Sequence, residues 1–249
     1  MKKPIAILLA AAGVLAAFAE TSTNTSVPTP VPQKKNPWQS SLTAGLTLTK
    51  GNSDTLLFTA SLQTQKKTPH DEFKFGVEGS YGENKSVENH KSVHAFAQYN
   101  HLFNERLFGY LRADGLHDGI ADLDYRVSLS PGLGYYLLKT TNTTLAVEAG
   151  PGVVFERLGD KDDTYATLRL AERFEHKFAS GARVWQSVEF SPEVDKWEKF
   201  VANAELGVEA PLTKQLSLRA YVQDTYVNQP AAGRKNNDLK LISGIAYKF

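Results

Sequence analysis

The chain has 249 residues, no cysteine and a formal net charge of +1, and 41% of its residues are hydrophobic. The absence of cysteine excludes disulfides and thiol chemistry, and the near-neutral charge gives no indication of a basic surface for nucleic acid. Stability is therefore expected to come from an extensive hydrogen-bonded framework.

The first 19 residues predict a secretory signal peptide. Two lysines follow Met1, residues 5–17 form a short apolar core, and an Ala-Phe-Ala sequence ends the segment, as at signal peptidase sites. The apolar core is shorter than the ~20 residues that a membrane-spanning helix needs, so cleavage is expected rather than anchoring. Residues 20–37 are rich in Thr, Ser and Pro and predict a flexible tether.

From Trp38 to the C-terminus, mostly apolar residues recur at every second position. This period indicates β-strands, and it divides the chain into about twelve segments of roughly 10–14 residues, the length that a tilted strand needs to cross a membrane. The clearest alternation within these segments lies at 42–48, 56–62, 73–81, 93–99, 107–113, 125–137, 145–155, 166–174, 184–190, 200–208, 216–222 and 239–249.

The two faces of these segments differ in a way that indicates lipid outside and a polar interior. One face is apolar, and the other carries Thr, Gly, Arg and Glu. A secreted sandwich or lipocalin-like barrel would have a dry, apolar interior instead. We therefore predict an all-β fold over residues 38–249: a transmembrane, antiparallel, up-and-down β-barrel of about 12 strands. The lipid bilayer and lipopolysaccharide of the outer membrane are its expected surroundings.

The connections between segments predict the orientation of the barrel, since outer loops are usually longer than periplasmic turns. Compact connections follow alternate segments at 68–71, 103–106, 139–142, 178–181 and 211–214. Longer polar stretches follow the others at 83–89, 117–124, 157–163 and 228–237, and 50–54 is a short exception. Pro131 and Pro151 interrupt two strands, and a β-bulge is expected at each.

The last segment ends in Tyr247 and Phe249, as the closing strand of an outer-membrane barrel does. We predict that it pairs with the first strand near 42–48. We also predict that these two aromatic residues form the signal recognised by the outer-membrane assembly machinery. Other aromatic residues near segment ends are expected to form interfacial girdles rather than sugar-stacking platforms.

The segment from Trp38 to Thr55, WQSSLTAGLTLTKGNSDT, resembles the start of domain-of-unknown-function family 481. Gly45 and the run Gly51-Asn52-Ser53-Asp54-Thr55 are its most characteristic residues. Members of that family are often called salt-induced outer membrane proteins. The resemblance covers residues 38–249 and implies an outer-membrane barrel linked to salt or osmotic stress, without known catalytic residues.

Alternation assigns a balanced set of charges to the lumen. The positive candidates are Lys74, Arg112, Arg126, Arg169, Arg183, Arg219 and Lys240, and the negative ones are Glu78, Asp114, Glu148, Glu156, Glu189, Glu205 and Glu209. A selective anion pore would carry an excess of Arg or Lys. Two interpretations remain open: an envelope-structural barrel filled by ion pairs, or a narrow, weakly selective passive channel.

An enzymatic alternative rests on one predicted outer loop that contains His117, Asp118, Asp122 and Asp124. Such a loop would suit a protease-like or lipase-like hydrolase if other loops supplied partners. Because no such partners can be identified, we predict a non-enzymatic protein without catalytic, cofactor-binding or metal-binding residues. The sequence makes no prediction of the oligomeric state.

Overall fold

The computed structural model describes residues 38–50, 55–84, 87–230 and 235–249 of the chain. The predicted signal peptide and tether, and residues 51–54 of the family-like motif, lie outside this part. Among the described residues, no helix is long and apolar enough to cross a membrane.

Twelve antiparallel strands in the described part of the chain close into one barrel, each pairing with its neighbours in sequence. The strands are β1 (Trp38–Lys50), β2 (Thr55–Lys67), β3 (Asp71–Asn84), β4 (Val87–Leu102), β5 (Leu107–Asp118), β6 (Leu123–Lys139), β7 (Thr143–Leu158), β8 (Lys161–Lys177), β9 (Arg183–Pro192), β10 (Phe200–Pro211), β11 (Leu216–Val227) and β12 (Asn237–Lys248). The predicted all-β, up-and-down barrel of twelve strands is confirmed.

The barrel closes where β12 pairs with β1. Leu42 lies opposite Tyr247 in this ladder, as predicted. Phe249 extends the pairing beyond β12, because its backbone N–H donates to the Ser40 carbonyl at 3.1 Å and its carbonyl accepts from the Ser40 N–H at 3.3 Å. Closure pairs the two edges that an open sheet would expose. The role of Tyr247 and Phe249 as an assembly signal stays a prediction.

Gly45 and Gly244 face each other across this closing ladder. A Cβ atom on Gly244 would lie 2.2 Å from the Ala44 carbonyl oxygen, a backbone atom that cannot move without disturbing the ladder. Gly244→Ala is therefore expected to lower the free energy of unfolding by about 1–3 kcal/mol, measured by urea titration in lipid vesicles. Gly79→Ala is the control, since a Cβ there meets no atom within 4 Å. Equal effects of the two substitutions would contradict this explanation.

The outer wall of the barrel is an apolar belt. Each of the twelve strands exposes large apolar side chains, such as Leu46 at 55%, Leu133 at 58% and Val208 at 54%. Aromatic pairs lie towards the strand ends, including Phe73 with Tyr99 at 4.8 Å between ring centroids. A continuous belt of this kind would be unfavourable in water and matches the hydrocarbon region of a bilayer.

The predicted bulges at Pro131 and Pro151 are wrong. The two prolines lie opposite each other, and the β6–β7 ladder has a gap there with the same register on both sides. Neither proline has an N–H to donate, so one shared gap accommodates both without an extra residue in either strand. The register shifts in this ladder occur instead at 123–125 and 136–138.

The predicted difference in connection length is only partly right. Longer connections join β9 to β10 and β11 to β12, but residues 85–86 alone join β3 to β4, and residues 159–160 alone join β7 to β8. Most of the residues assigned to those two loops continue the strand pairing as hairpins. Gly159 has φ of +58°, which suits its tight turn. We call this end of the barrel the loop end, and the opposite one the turn end.

Candidate functional site in the barrel lumen

The polar residues of the alternating pattern face the inside of the barrel. The nine principal lumen candidates from the sequence, Glu78, Arg112, Arg126, Glu148, Arg169, Arg183, Glu189, Glu205 and Arg219, all occupy inward-facing positions of their strands. The structure brings most of them into contact with one another or with further polar residues.

Glu148 on β7 is the centre of the largest cluster. Its carboxylate lies 2.9 Å from the guanidinium of Arg169, and the two side chains are only 2% and 3% exposed. Arg169 also contacts Glu189 on β9 at 2.8 Å. Gln98 donates to the second Glu148 oxygen at 3.0 Å, and Arg173 lies 3.5 Å from the first. A buried carboxylate with this many partners is strongly held in place.

Glu209 on β10 is the centre of a second cluster at the turn end. Its carboxylate contacts Arg219 of β11 at 2.8 Å, Arg183 of β9 at 2.9 Å, and Lys248 of β12. The hydroxyl of Ser217 donates to it at 3.1 Å. Four consecutive strands are thereby joined through one buried carboxylate, so this cluster supports the wall beside the closing ladder.

Further pairs lie along the wall without crossing the lumen. Arg126 and Glu156, on the adjacent strands β6 and β7, are 2.7 Å apart. Arg112 donates two hydrogen bonds to Asp114 on its own strand, at 2.5 and 2.7 Å. Glu205 accepts from the indole N–H of Trp185 at 2.5 Å. Each of these contacts joins residues of the same strand or of neighbouring strands, so none of them crosses the lumen.

Other contacts span the lumen between strands that are separated by at least two other strands. The carbonyl of Gln98 on β4 accepts from Arg173 on β8 at 2.8 Å, and its amide reaches Glu148 on β7. Seven side chains make these crossings, and we call them the septum: Glu72, Glu78, Gln98, Tyr136, Glu148, Arg173 and Tyr221.

The two remaining crossings of the septum start from β3. Tyr136 on β6 donates its hydroxyl to Glu72 at 2.7 Å, and Tyr221 on β11 donates to Glu78 at 2.9 Å. Together with the Gln98 contacts, these bonds link β3 and β4 to strands on both sides of the barrel. A barrel of this size can be filled by side chains, and the septum fills part of this one.

A tryptophan fills the lumen beside β9 and β10. Trp185 packs over Gly207, where an added Cβ would lie 2.1 Å from the indole ring. The guanidinium of Arg183 lies 4.8 Å from a Trp185 ring centre, and that of Arg219 lies 5.8 Å away. Tyr221 of the septum approaches the same indole at 6.1 Å between ring centroids. The filled region therefore continues from the septum to this side of the wall.

Sequence reasoning did not single out five of the seven septum residues. Alternation could have identified four of them, since each lies an even number of residues from a lumen candidate of the same strand: Glu72 from Lys74, Tyr136 from Arg126, Arg173 from Arg169 and Tyr221 from Arg219. Gln98 is uncharged and carries no signal of its own, although it is 3% exposed and bonds to Arg173, Arg112 and Glu148. Its partners depend on which strands face each other across the lumen.

Removing one septum hydroxyl is expected to destabilise the barrel. Tyr136→Phe deletes the bond to Glu72, a carboxylate that is 4% exposed and retains a bond from Asn100 at 3.2 Å. A hydrogen bond to a charged group contributes about 1.5–3 kcal/mol, and we expect a loss of that size in urea unfolding. Tyr135→Phe is the matched control on the outer wall and is expected to change stability little. A smaller loss for Tyr136→Phe than for Tyr135→Phe would contradict the role of the bond.

The residues proposed for a hydrolase lie at the end of β5, in the following turn and at the start of β6, rather than in one long loop. The imidazole Nδ1 of His117 lies 2.8 Å from the backbone carbonyl of Asp124. The carboxylate of Asp118 accepts from the backbone N–H groups of residues 120 and 121, and Asp122 has φ of +60° in the turn. These side chains shape the turn and do not form an acid–base pair. In the described part of the chain, no group of three or more His, Asp or Glu residues is arranged to hold a metal ion.

Comparison with solved structures shows the same kind of fold in other proteins. The chain is similar to the NanC porin, with a TM-score of 0.56 and 10% identity over 84% of this chain and 100% of that one. It is also similar to the KdgM porin, solved in complex with disordered oligogalacturonate, with a TM-score of 0.48 and 12% identity over 84% of this chain and 99% of that one. No curated protein matches the chain in sequence.

A family model covers nearly the whole barrel. The model described as "Protein of unknown function, DUF481" matches residues 42–249, from β1 to the C-terminus. This range agrees with the resemblance seen at the start of the barrel sequence. The chain therefore belongs to the DUF481 family.

Proposed function

We propose that this chain is a non-enzymatic, envelope-structural barrel of the outer membrane whose lumen is closed by the septum. The apolar belt supports residence in a bilayer, and the closed β-barrel provides a spanning structure without unpaired strand edges. A narrow passive channel is the competing function, and it requires a continuous path through the lumen.

The contact between Gln98 and Arg173 carries this proposal. It joins β4 to β8 at 2.8 Å, and Gln98 is simultaneously held by Arg112 at 3.2 Å and Glu148 at 3.0 Å. With its further bond to Asn100 at 2.9 Å, Gln98 is held by four partners and is 3% exposed, which leaves no room for a hydrated ion at its position.

The pairing of the lumenal charges supports the same function. The six inward-facing arginines of the described barrel each lie within 4 Å of a carboxylate: Arg112, Arg126, Arg169, Arg173, Arg183 and Arg219. An anion path would offer arginines that are free to contact the solute. Arginines that are already neutralised by neighbouring carboxylates act as supports between strands.

Single-channel recording tests the proposal. Refolded protein, shown to be inserted by its heat-modifiable gel mobility, is added to planar lipid bilayers in potassium chloride. We expect no resolved conductance steps from the wild-type barrel. Regular steps from the folded wild type would overturn the structural function and support the narrow channel.

Location and physiological role require separate tests. The protein is expected to fractionate with the outer membrane, together with its lipopolysaccharide, and recovery in the soluble periplasmic fraction would contradict this. The link to salt or osmotic stress that the family resemblance implies remains a prediction. Growth of a deletion strain at high and low salt tests it, and equal growth of mutant and parent under both conditions would count against it.

A further inference from the structure

A polar pair interrupts the apolar belt on the outer wall. Glu172 on β8 follows the outward-facing Leu170 by two residues, and Gln186 on β9 precedes the outward-facing Val188 by two. Alternation therefore directs both polar side chains outward. The amide of Gln186 donates to the Glu172 carboxylate at 3.3 Å. Both residues break the apolar alternation of their strands.

The surroundings of this pair are apolar on every adjacent strand. Glu172 lies opposite Val147 on β7 and Val188 on β9, and Gln186 lies opposite Leu206 on β10. On β8 the outward apolar positions extend from Ala166 to Phe174, so the pair lies within the belt and away from the polar loop end. Polar side chains at this depth are costly unless another group pairs with them.

The hydrogen-bonding capacity of the pair is only partly used. The Gln186 amide has two N–H groups and donates one to Glu172, and the carboxylate can accept several further bonds. Lipid tails offer neither donors nor acceptors. The unused groups therefore require a partner that brings both a donor and an acceptor to the same place.

We propose that the partner is a second copy of this chain, docked through the outer faces of β8 and β9. This inference rests on the proposed membrane location. Since Glu172 and Gln186 touch each other, they lie at similar depth. A two-fold axis along the membrane normal then places Glu172 of each copy opposite Gln186 of the other. The free N–H of each Gln186 then donates to the other copy's Glu172, which makes the contact self-complementary.

The wall around the pair suits close approach of a second barrel. Ala204 on β10 lies opposite Val188 and presents a methyl group where a larger residue would hold the partner away. Beside Glu172, a shallow groove on the outer wall runs over β5 to β9 and is lined by Leu133, Tyr135, Val147, Leu170 and Phe190. Side chains of a second copy can pack into this groove while the central hydrogen bonds set its register.

Mass measurement of the folded barrel tests this interface. Light scattering in detergent and single-molecule subunit counting in lipid bilayers are both expected to give twice the protomer mass for the wild type. Glu172→Leu combined with Gln186→Leu should halve that mass while preserving the fold, because leucine suits the belt. The exchange variant, Glu172→Gln with Gln186→Glu, keeps one donor and one acceptor side chain in each copy and should remain dimeric.

Cross-linking gives an independent test because the chain has no cysteine. Val188→Cys, next to the pair, is expected to form a disulfide-linked dimer under mild oxidation in bilayers. Leu218→Cys, exposed on β11, should not. A wild-type barrel that is folded and inserted yet monomeric, with no cross-link at position 188, would overturn the dimer. Failure to insert at all would instead count against the proposed location.

Discussion

Glu148→Ala is expected to lower the free energy of unfolding by about 3–5 kcal/mol, the usual cost of removing one partner of a buried ion pair. Glu148 is buried and has partners on β4 and β8. Its loss would leave Arg169 with Glu189 alone and would place Arg173 beside Gln98 without a carboxylate. The guanidinium groups of Arg169 and Arg173 would then repel each other in a poorly solvated space.

Urea titration of the protein refolded into lipid vesicles measures this loss. Glu105→Ala is the matched control, because Glu105 lies exposed in the turn between β4 and β5 and should shift stability by no more than about 0.5 kcal/mol. Glu148→Gln should fall between the two, since an amide can still bond to Gln98. A loss below about 1 kcal/mol for Glu148→Ala would show that the lumen is well solvated there.

Truncating both side chains of the contact between Gln98 and Arg173 is expected to open the lumen. The double variant Gln98→Ala with Arg173→Ala deletes the bond between β4 and β8 and shortens both side chains at once. Because the backbone of a closed barrel is held by its strand ladders, the wall should remain and the space should fill with water. We expect resolved conductance steps in planar bilayers, several-fold above the background of the wild type.

The control for this experiment removes an ion pair that does not cross the lumen. Arg126→Ala with Glu156→Ala deletes a contact between the neighbouring strands β6 and β7 and leaves the septum intact. It should remain as silent as the wild type. If both double variants conduct equally, loss of charge pairing rather than loss of the crossing would explain the conductance, and the septum would not be the barrier.

The barrel architecture was largely predictable because alternation is a local property. Side chains of a strand point to opposite faces, so the order of apolar and polar residues in 125–137 reports which face meets lipid without any tertiary information. The same reasoning failed where two distant residues act together. The effect of Pro131 depends on Pro151 lying opposite it, and each proline read alone predicts a bulge that the pair does not need.

The residues of the candidate site were largely predictable from the sequence, but the contacts between them were not. Alternation assigned Glu148 and Arg169 to the interior, but their contact with Gln98 depends on which strands face each other across a barrel of twelve. The Glu172–Gln186 pair shows the same limit on the outer wall, since two isolated breaks in alternation become one feature only when β8 and β9 are paired.

By itself, the sequence determined the strand number, the inward and outward faces, the balance of lumenal charge and the family, because each is encoded in residues close together along the chain. The tertiary structure alone decided that Gln98 and Arg173 cross the lumen and that Tyr136 and Tyr221 reach carboxylates on β3. Barrel closure curves the sheet and brings side chains of non-neighbouring strands within hydrogen-bonding distance of each other. Strand number and tilt set the width of the barrel, and this width allows polar side chains of the inner wall to meet across the lumen and form the septum.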